Sequence, residues 1–259
     1  METKQSHHFL SLIIPVYKQE RTIVKNIQQI AKALGHIRYP YEIIVVVDGI
    51  VDKSLSRIKA SKITHVKTLG YIKNQGKAYA IRLGMKKAKG DYIMFIDAGR
   101  EIDPNGISML IEHMEWCRAD IIVGSKRHPA SYVRYPLVRR VLSYGYYYLV
   151  KLLFHIKIRD TQAGIKIFRR KTLENILPVL IEREFAGDLE LLVAAESMGY
   201  RRIFEAPIKL DYHLGPVTSA ATLTAIKGIL IDTLAIFYRR NIKHHYRKQS
   251  RTKQHGKKK

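Results

Sequence analysis

Residues 41–49 read Tyr-Glu-Ile-Ile-Val-Val-Val-Asp-Gly, and the run from Ile43 to Val47 is apolar at every position rather than at alternate ones. A strand with one face in water alternates apolar and polar residues. A continuous β-branched run belongs instead to a strand covered by helices on both sides, as in a parallel α/β sheet. Working outward, residues 9–16 form a second apolar run with Pro15 near its end, and residues 92–96 a third that stops at Asp97. Residues 65–69 make a weaker strand and residues 120–123 a further one. Between them, residues 22–34 place Ile23, Ile27, Ile30 and Leu34 on one helical face with Gly35 as a stop. Residues 76–89 turn Ala80, Ile81, Gly84, Met85 and Ala88 inward, and Ile107, Leu110, Ile111 and Met114 mark one more helix. Strand and helix alternate throughout, which predicts a mostly parallel, doubly wound sheet with helices on both faces.

In such sheets ligands bind beyond the carboxyl ends of the strands. Pro15 with Tyr17, Asp48 and Asp97 all fall at such ends, and that convergence is the first functional signal. Asp97 suits a divalent ion bridging a diphosphate, because Mg²⁺ and Mn²⁺ prefer hard oxygen ligands; taken alone, it reads more readily as a helix N-cap or turn aspartate. Asn74-Gln75-Gly76-Lys77 precedes a helix, where a glycine permits close backbone approach and a lysine meets phosphate. The second half is less regular: a tyrosine-rich helix over 141–156, the polar segment Arg159-Asp160-Thr161-Gln162-Ala163-Gly164, a strand over 165–168, a helix over 188–198 and a strand over 201–208. Asp188 and Glu190 open that last helix, where favourable interaction with the helix dipole also accounts for them. Arg127, Arg134, Arg139 and Arg140 are candidates for acceptor phosphate or for a solvated basic face.

Composition narrows the partners. The chain has 259 residues, 46% of them apolar, and a net charge of +24. Residues 239–259 supply ten Lys or Arg and no acid, which leaves +14 on the remainder. A basic body favours anionic partners such as nucleotide diphosphates, lipid phosphates or anionic membranes. No helix-turn-helix, zinc or RNA-stacking motif accompanies the charge, so nucleic acid is not expected. Cys117 is the only cysteine, which excludes an intrachain disulfide and suits a reducing compartment. The amino-terminal residues lack the apolar core of a signal peptide. No run of about 18 uncharged apolar residues occurs.

The ordered set Ile14-Pro15-Val16-Tyr17, residues 42–49, Asn74-Gln75-Gly76-Lys77, Gly90-Asp91-Tyr92 leading to Asp97-Ala98, residues 122–127 and Asp160-Thr161-Gln162-Ala163-Gly164-Ile165-Lys166 resembles the family 2 glycosyltransferases. Within that family it is similar to the polyprenyl-phosphate branch, which includes dolichol-phosphate mannosyltransferase and dolichyl-phosphate β-glucosyltransferase. The resemblance implies a GT-A (Rossmann-like) fold and inverting hexose transfer from a UDP- or GDP-linked sugar donor to a polyprenyl phosphate lipid. By the same resemblance Pro15, Tyr17, Asp48, Gly76, Lys77 and Arg127 would bind the nucleotide sugar. Asp97, Asp160, Gln162, Asp188 and Glu190 would serve catalysis. Mg²⁺ or Mn²⁺ would be held by Asp97, with Glu101 or Asp103 as substitutes for a missing second carboxylate. The family pattern has an aspartate where Gly99 stands, another where Val47 stands, and asparagine-glutamate where Lys18-Gln19 stands. A catalytically silent binding or scaffold protein of the same family, or a transferase with a soluble saccharide acceptor, are the alternatives.

Three parts are expected: a transferase domain over residues 1–215, an apolar helix over 216–240 lying at a membrane interface, and a disordered polybasic tail over 241–259. An apolar helix followed by clustered Lys and Arg predicts peripheral attachment to the anionic inner face of a membrane from the cytoplasmic side.

Overall fold

The computed structural model describes residues 8–99, 101–134, 137–211 and 223–247. Strands β1 (Leu10–Val16), β2 (Tyr41–Asp48), β3 (Val66–Tyr71) and β4 (Tyr92–Ile96) lie parallel, joined by helices α1 (Ile23–Leu34), α2 (Ser54–Ala60) and α3 (Lys77–Lys87). Helix α4 (Ile107–Trp116) leads to β5 (Ile121–Ser125) and the short β6 (Tyr132–Arg134). Helix α5 (Leu137–Phe154) then precedes β7 (Ile165–Arg169), α6 (Arg170–Ile176) and α7 (Gly187–Ser197), and the chain continues through β8 (Ile203–Pro207) and β9 (Lys209–Asp211) to α8 (Leu223–Asn241). The main sheet has seven strands in the order β3-β2-β1-β4-β7-β5-β8, and β6 pairs with β9 in a separate parallel ribbon.

The pattern of residues 43–47 is explained by two cores, one on each face of the sheet. Ile44 and Val46 pack into the layer formed with α3 and α7, while Ile43, Val45 and Val47 pack into the layer formed with α1 and α4. All five are essentially inaccessible. Each such side chain contributes roughly 1.5–3 kcal/mol by leaving water, so both faces of the strand favour burial.

β7 is the one main-sheet strand that runs antiparallel to its neighbours, with Ile96 opposite Ile165 and Val123 opposite Lys166. The reversal matters for function. A parallel strand delivers the loop that follows it to the carboxyl edge of the sheet; β7 delivers the loop that precedes it. Residues 159–164 therefore arrive beside the ends of β4 and β5.

Element boundaries follow local chemistry. α5 begins a turn before the expected residue 141 and ends at Phe154, because His155 takes a left-handed conformation (φ +54°) that a helix cannot continue through. The boundary expected at residue 241 is displaced. Tyr246 is 1% exposed and donates its hydroxyl to Glu190, and the imidazole of His245 meets the Val179 carbonyl. The packed body therefore continues past Asn241, and residues 248–259 lie outside the described ones, as do residues 212–222 before α8. Among the described residues no helix is long and apolar enough to cross a membrane.

Candidate active site

A cleft of about 940 Å³ opens over the carboxyl edge of the sheet. Pro15, Tyr17, Asp48, Lys77, Asp97, Arg127, Asp160 and Gln162 all line it, as does Glu101. Its far end is apolar and runs between α5 and α8, past Leu142, Tyr146, Leu149, Ile226, Ile229 and Leu230.

Lys77, in the first turn of α3, is the hub of the polar end. Its ammonium lies 2.7 and 3.0 Å from the two carboxylate oxygens of Asp97 and 3.3 Å from Oδ2 of Asp188. Behind it, the fully buried Lys166 ammonium sits 2.7 Å from Oδ1 of Asp188 and donates to the Ala163 carbonyl at 2.7 Å. The result is an alternating chain, Asp97–Lys77–Asp188–Lys166. Burial opposes charge on Lys77, yet Asp188 and Asp97 more than offset it and hold the ammonium above the usual lysine range. Burial pushes Asp188 up, but Lys166 and Lys77 outweigh it, so the carboxyl lies below its ordinary value. Lys166 has the opposite balance: burial dominates and lowers it.

Asp160 is a second buried carboxylate. It accepts from the Lys126 ammonium at 2.7 Å and from the Lys126 amide at 2.9 Å, with an Arg127 guanidinium nitrogen 3.6 Å away. The Arg127 guanidinium donates to the Ser143 carbonyl and hydroxyl and lies 5.0 Å from the ring centres of both Tyr144 and Tyr147. It thus ties the strand end of β5 to α5. Gln162 donates its amide to the Tyr146 hydroxyl at 3.3 Å, and that hydroxyl is hydrogen-bonded with Thr233 of α8. Burial raises the Tyr146 phenol to about 12, so it is protonated throughout the physiological range.

Several expected site residues hold other positions. Asp48 lines the cleft, but its carboxylate accepts from the Tyr71 hydroxyl, the Asn74 amide, and the backbone amides of Gln75 and Gly76. It fixes the turn that leads into α3. Gly76 stands outside the cleft lining; its φ is +98°, and the space beside it is filled by the Arg183 carbonyl, 2.4 Å from where a Cβ would stand. The amide of Tyr79 in the first turn of α3 also donates to the Arg183 carbonyl, so the chain itself covers part of this helix end. Asp188 is beneath the cleft and acts through Lys77. Glu190 is remote from it, accepting from the Ile181 and Glu182 amides and from Tyr246, with Arg239 at 3.4 Å. Asp103 faces a smaller cavity on the other side of the Asp97 loop, near Lys209. Arg239 and Arg240 point into the body, against Glu182 and Glu196, rather than beginning a basic membrane face.

Other contributors carry no sequence signal of their own. Glu205 accepts from the amides of Arg159 and Asp160 and so sets the polar loop. Asn26 of α1 donates to the Ala98 carbonyl at 2.8 Å and braces the Asp97 turn. Glu184 lines the cleft, its carboxyl raised by burial and by Asp48.

The model of Glycosyl transferase family 2 matches residues 11–177. This chain belongs to that family. Dolichyl-phosphate beta-glucosyltransferase of Drosophila melanogaster is 31% identical over 205 residues, which cover 73% of this chain and 63% of that protein. The human protein of the same name is 29% identical over 209 residues, covering 72% and 63%. This family 2 chain is thus matched over about 63% of the length of these relatives. Among solved structures, glucosyl-3-phosphoglycerate synthase from Mycobacterium tuberculosis, in complex with Mn²⁺, UDP and phosphoglyceric acid, superimposes with a TM-score of 0.67 at 16% identity, covering 89% of this chain and 78% of that one. A second structure of that enzyme, with Mg²⁺ and UDP, gives 0.65 at 14% identity over 88% and 79%. These likenesses establish the GT-A fold for the family 2 chain.

Proposed function

We propose that this chain transfers a hexose from a nucleoside-diphosphate sugar to the phosphate of a polyprenyl lipid, with inversion at the sugar carbon. The observation that carries the reading is the single cleft with two unlike ends. Its polar end brings Pro15, Tyr17, Lys77 and Asp97 together at the strand termini, the edge at which such sheets bind ligands, and the structurally similar glucosyl-3-phosphoglycerate synthase is solved with UDP. Its apolar end, between α5 and α8, has the chemistry of an isoprenoid chain. Lys126, Arg127, Arg139 and Arg159 line the space between, where a lipid phosphate and a donor diphosphate would meet. The names of the curated relatives fit the same donor-to-lipid reaction.

In the reaction a lipid phosphate oxygen forms the new bond to the anomeric carbon as the bond to the donor diphosphate breaks, and the bonding pair departs with the nucleotide diphosphate. The attacking oxygen is already anionic at neutral pH, so no strong base is required. Asp160, engaged by the Lys126 ammonium and amide, holds cations in place. Positioning and charge neutralisation supply the rate enhancement.

Divalent-cation use is documented for the fold by the Mn²⁺ and Mg²⁺ complexes. In this chain the side chains expected to hold such an ion are engaged with the chain's own cations, turned elsewhere or missing. Asp97 is bridged by Lys77, Glu101 lies 3.8 Å from Arg139, Asp103 faces away, and Gly99 offers no ligand. No group of three or more metal-ligating side chains occurs among the described residues.

The acceptor reading extends to a membrane surface. On α5, Leu137, Val141, Tyr148 and Leu152 are exposed at helical spacing, and on α8 Leu230, Leu234 and Tyr238 continue to Ile242. Such stripes on neighbouring helices at the mouth of the cleft suit an interfacial position on an anionic, cytoplasmic leaflet. The test is incubation with UDP- or GDP-sugars and dolichyl phosphate in vesicles, with glycolipid sought by mass spectrometry. Glycolipid is expected from the wild type and not from Asp97→Asn. A folded wild-type chain that glycosylates only soluble saccharides, or nothing at all, overturns the proposal.

A further inference from the structure

In this cleft three carboxylates carry a cation of their own, while Asp48 is taken up by neutral donors and Glu184 stands farther along the lining beside it. Asp97 has Lys77, Asp160 has Lys126 and Arg127, and Glu101 has Arg139. Lys77 donates to Oδ2 of Asp97 at 3.0 Å and lies 2.7 Å from Oδ1, so its positive charge sits against the whole carboxylate. Its side chain is 20% exposed and lines the cleft, within reach of a ligand bound there. The pairing is anchored from behind: Asp188 bonds Lys77 with one oxygen and the inaccessible Lys166 with the other. Two positions beyond Asp97, Gly99 leaves open space, with nothing within 4 Å of where a Cβ would stand.

Resting on the donor reading above, we propose that Lys77, braced by Asp97 and the Asp188–Lys166 pair, takes the place of a divalent cation against the donor diphosphate, so that nucleotide-sugar binding by this chain does not require a metal ion. A lysine ammonium is a compact, strongly hydrated point charge, suited to nonbridging phosphate oxygens. Two flanking carboxylates keep it charged although it is mostly buried. Lys126 and Arg127 add two cations against the single Asp160, leaving an excess positive charge for the second phosphate. A single ammonium carries half the charge of a divalent ion, and this pair supplies the rest. Lys166 is a positioning residue here: it touches no ligand and acts by orienting Asp188 toward Lys77.

The experiment is titration calorimetry of the full chain with UDP and UDP-glucose, in EDTA and in Mg²⁺ or Mn²⁺. Wild-type dissociation constants are expected to agree within about threefold between the two conditions, a difference below ~1 kcal/mol. Lys77→Met, verified as folded by thermal melting, is expected to weaken binding in EDTA by about tenfold or more. Lys77→Arg, which keeps the charge, should recover most of that loss. Gly99→Asp places a carboxylate in open space and is expected to create metal dependence. Its binding should tighten about tenfold on adding Mn²⁺, with a protein-bound Mn²⁺ signal in electron paramagnetic resonance that the wild type lacks. A wild-type chain that loses tenfold or more of its affinity on chelation, or a Lys77→Met chain that binds as tightly as wild type in EDTA, overturns the proposal. Absence of UDP and UDP-glucose binding under every condition would instead sink the donor reading, and the inference with it.

Discussion

Replacing Gly164 by alanine tests the geometry of the polar end at its tightest point. Gly164 closes the loop before β7, and its carbonyl accepts from the Asp97 amide at 2.8 Å. A Cβ added at Gly164 would stand 2.1 Å from Oδ2 of Asp97 and 2.5 Å from its Cγ, whereas real Cβ atoms essentially never come within 3.0 Å of another heavy atom. The carboxylate must therefore retreat by about 0.9 Å, and the Lys77 ammonium that bridges it must follow or let go. Gly164 does not have a positive φ, so alanine brings no backbone strain, and the stability cost is that of modest overpacking, ~1–3 kcal/mol. A displacement of about 1 Å at a positioned charge is worth ~10²-fold in rate, or about 2.7 kcal/mol in the barrier. The assay is kcat/KM for transfer from UDP-glucose to dolichyl phosphate, alongside thermal melting and UDP binding. A folded Gly164→Ala chain with transfer within about threefold of wild type would show that the Asp97–Lys77 geometry does not govern the reaction.

Asp188→Asn removes the carboxylate between two lysines and leaves Lys166 buried without a counter-charge, at an expected cost of ~3–5 kcal/mol by chemical denaturation. The Asp188 carboxyl titrates below its ordinary value, so its contribution to stability is complete above about pH 4 and disappears as pH falls through the lowered folded-state pKa. Wild-type stability should show that acid limb and Asp188→Asn should not; superimposable pH profiles would contradict the assignment. Arg127→Met keeps an apolar stem but removes the bonds to Ser143 and the contacts with Tyr144 and Tyr147. It should cost ~1–3 kcal/mol and speed amide exchange in α5, and unchanged exchange there would refute a tether between β5 and α5.

The parts of the chain that were legible in advance are those whose pattern has one physical cause. Ile43 to Val47 has to be covered on both faces, and a central strand between two helical layers buries all five residues. Ile23, Ile27, Ile30 and Leu34 share a face only as a helix, and all four are buried in α1. The site was legible to the same depth: strand ends at Val16, Asp48 and Ile96 locate the cleft without any contact being known. What the pattern could not convey is which partner a charged side chain chooses. Asp188 and Glu190 look alike as acids in the first turn of α7, and both have the same favourable relation to its dipole. Two positions apart on a helix, however, side chains diverge by about 200°. Asp188 therefore faces Lys77 and Lys166 under the cleft, while Glu190 faces Arg239 and Tyr246 and anchors the end of the chain. Asp48 lines the cleft as expected, but its partners were hidden for a related reason. An acid at a strand end suits a ligand, but four nearby donors from residues 71–76 consume it, and those donors are brought to it by β3 lying beside β2. Such long-range choices depend on strand order and on the reversed β7, neither of which is written in local periodicity. The same reversal makes Lys166, outwardly an ordinary strand lysine, the innermost charge of the site.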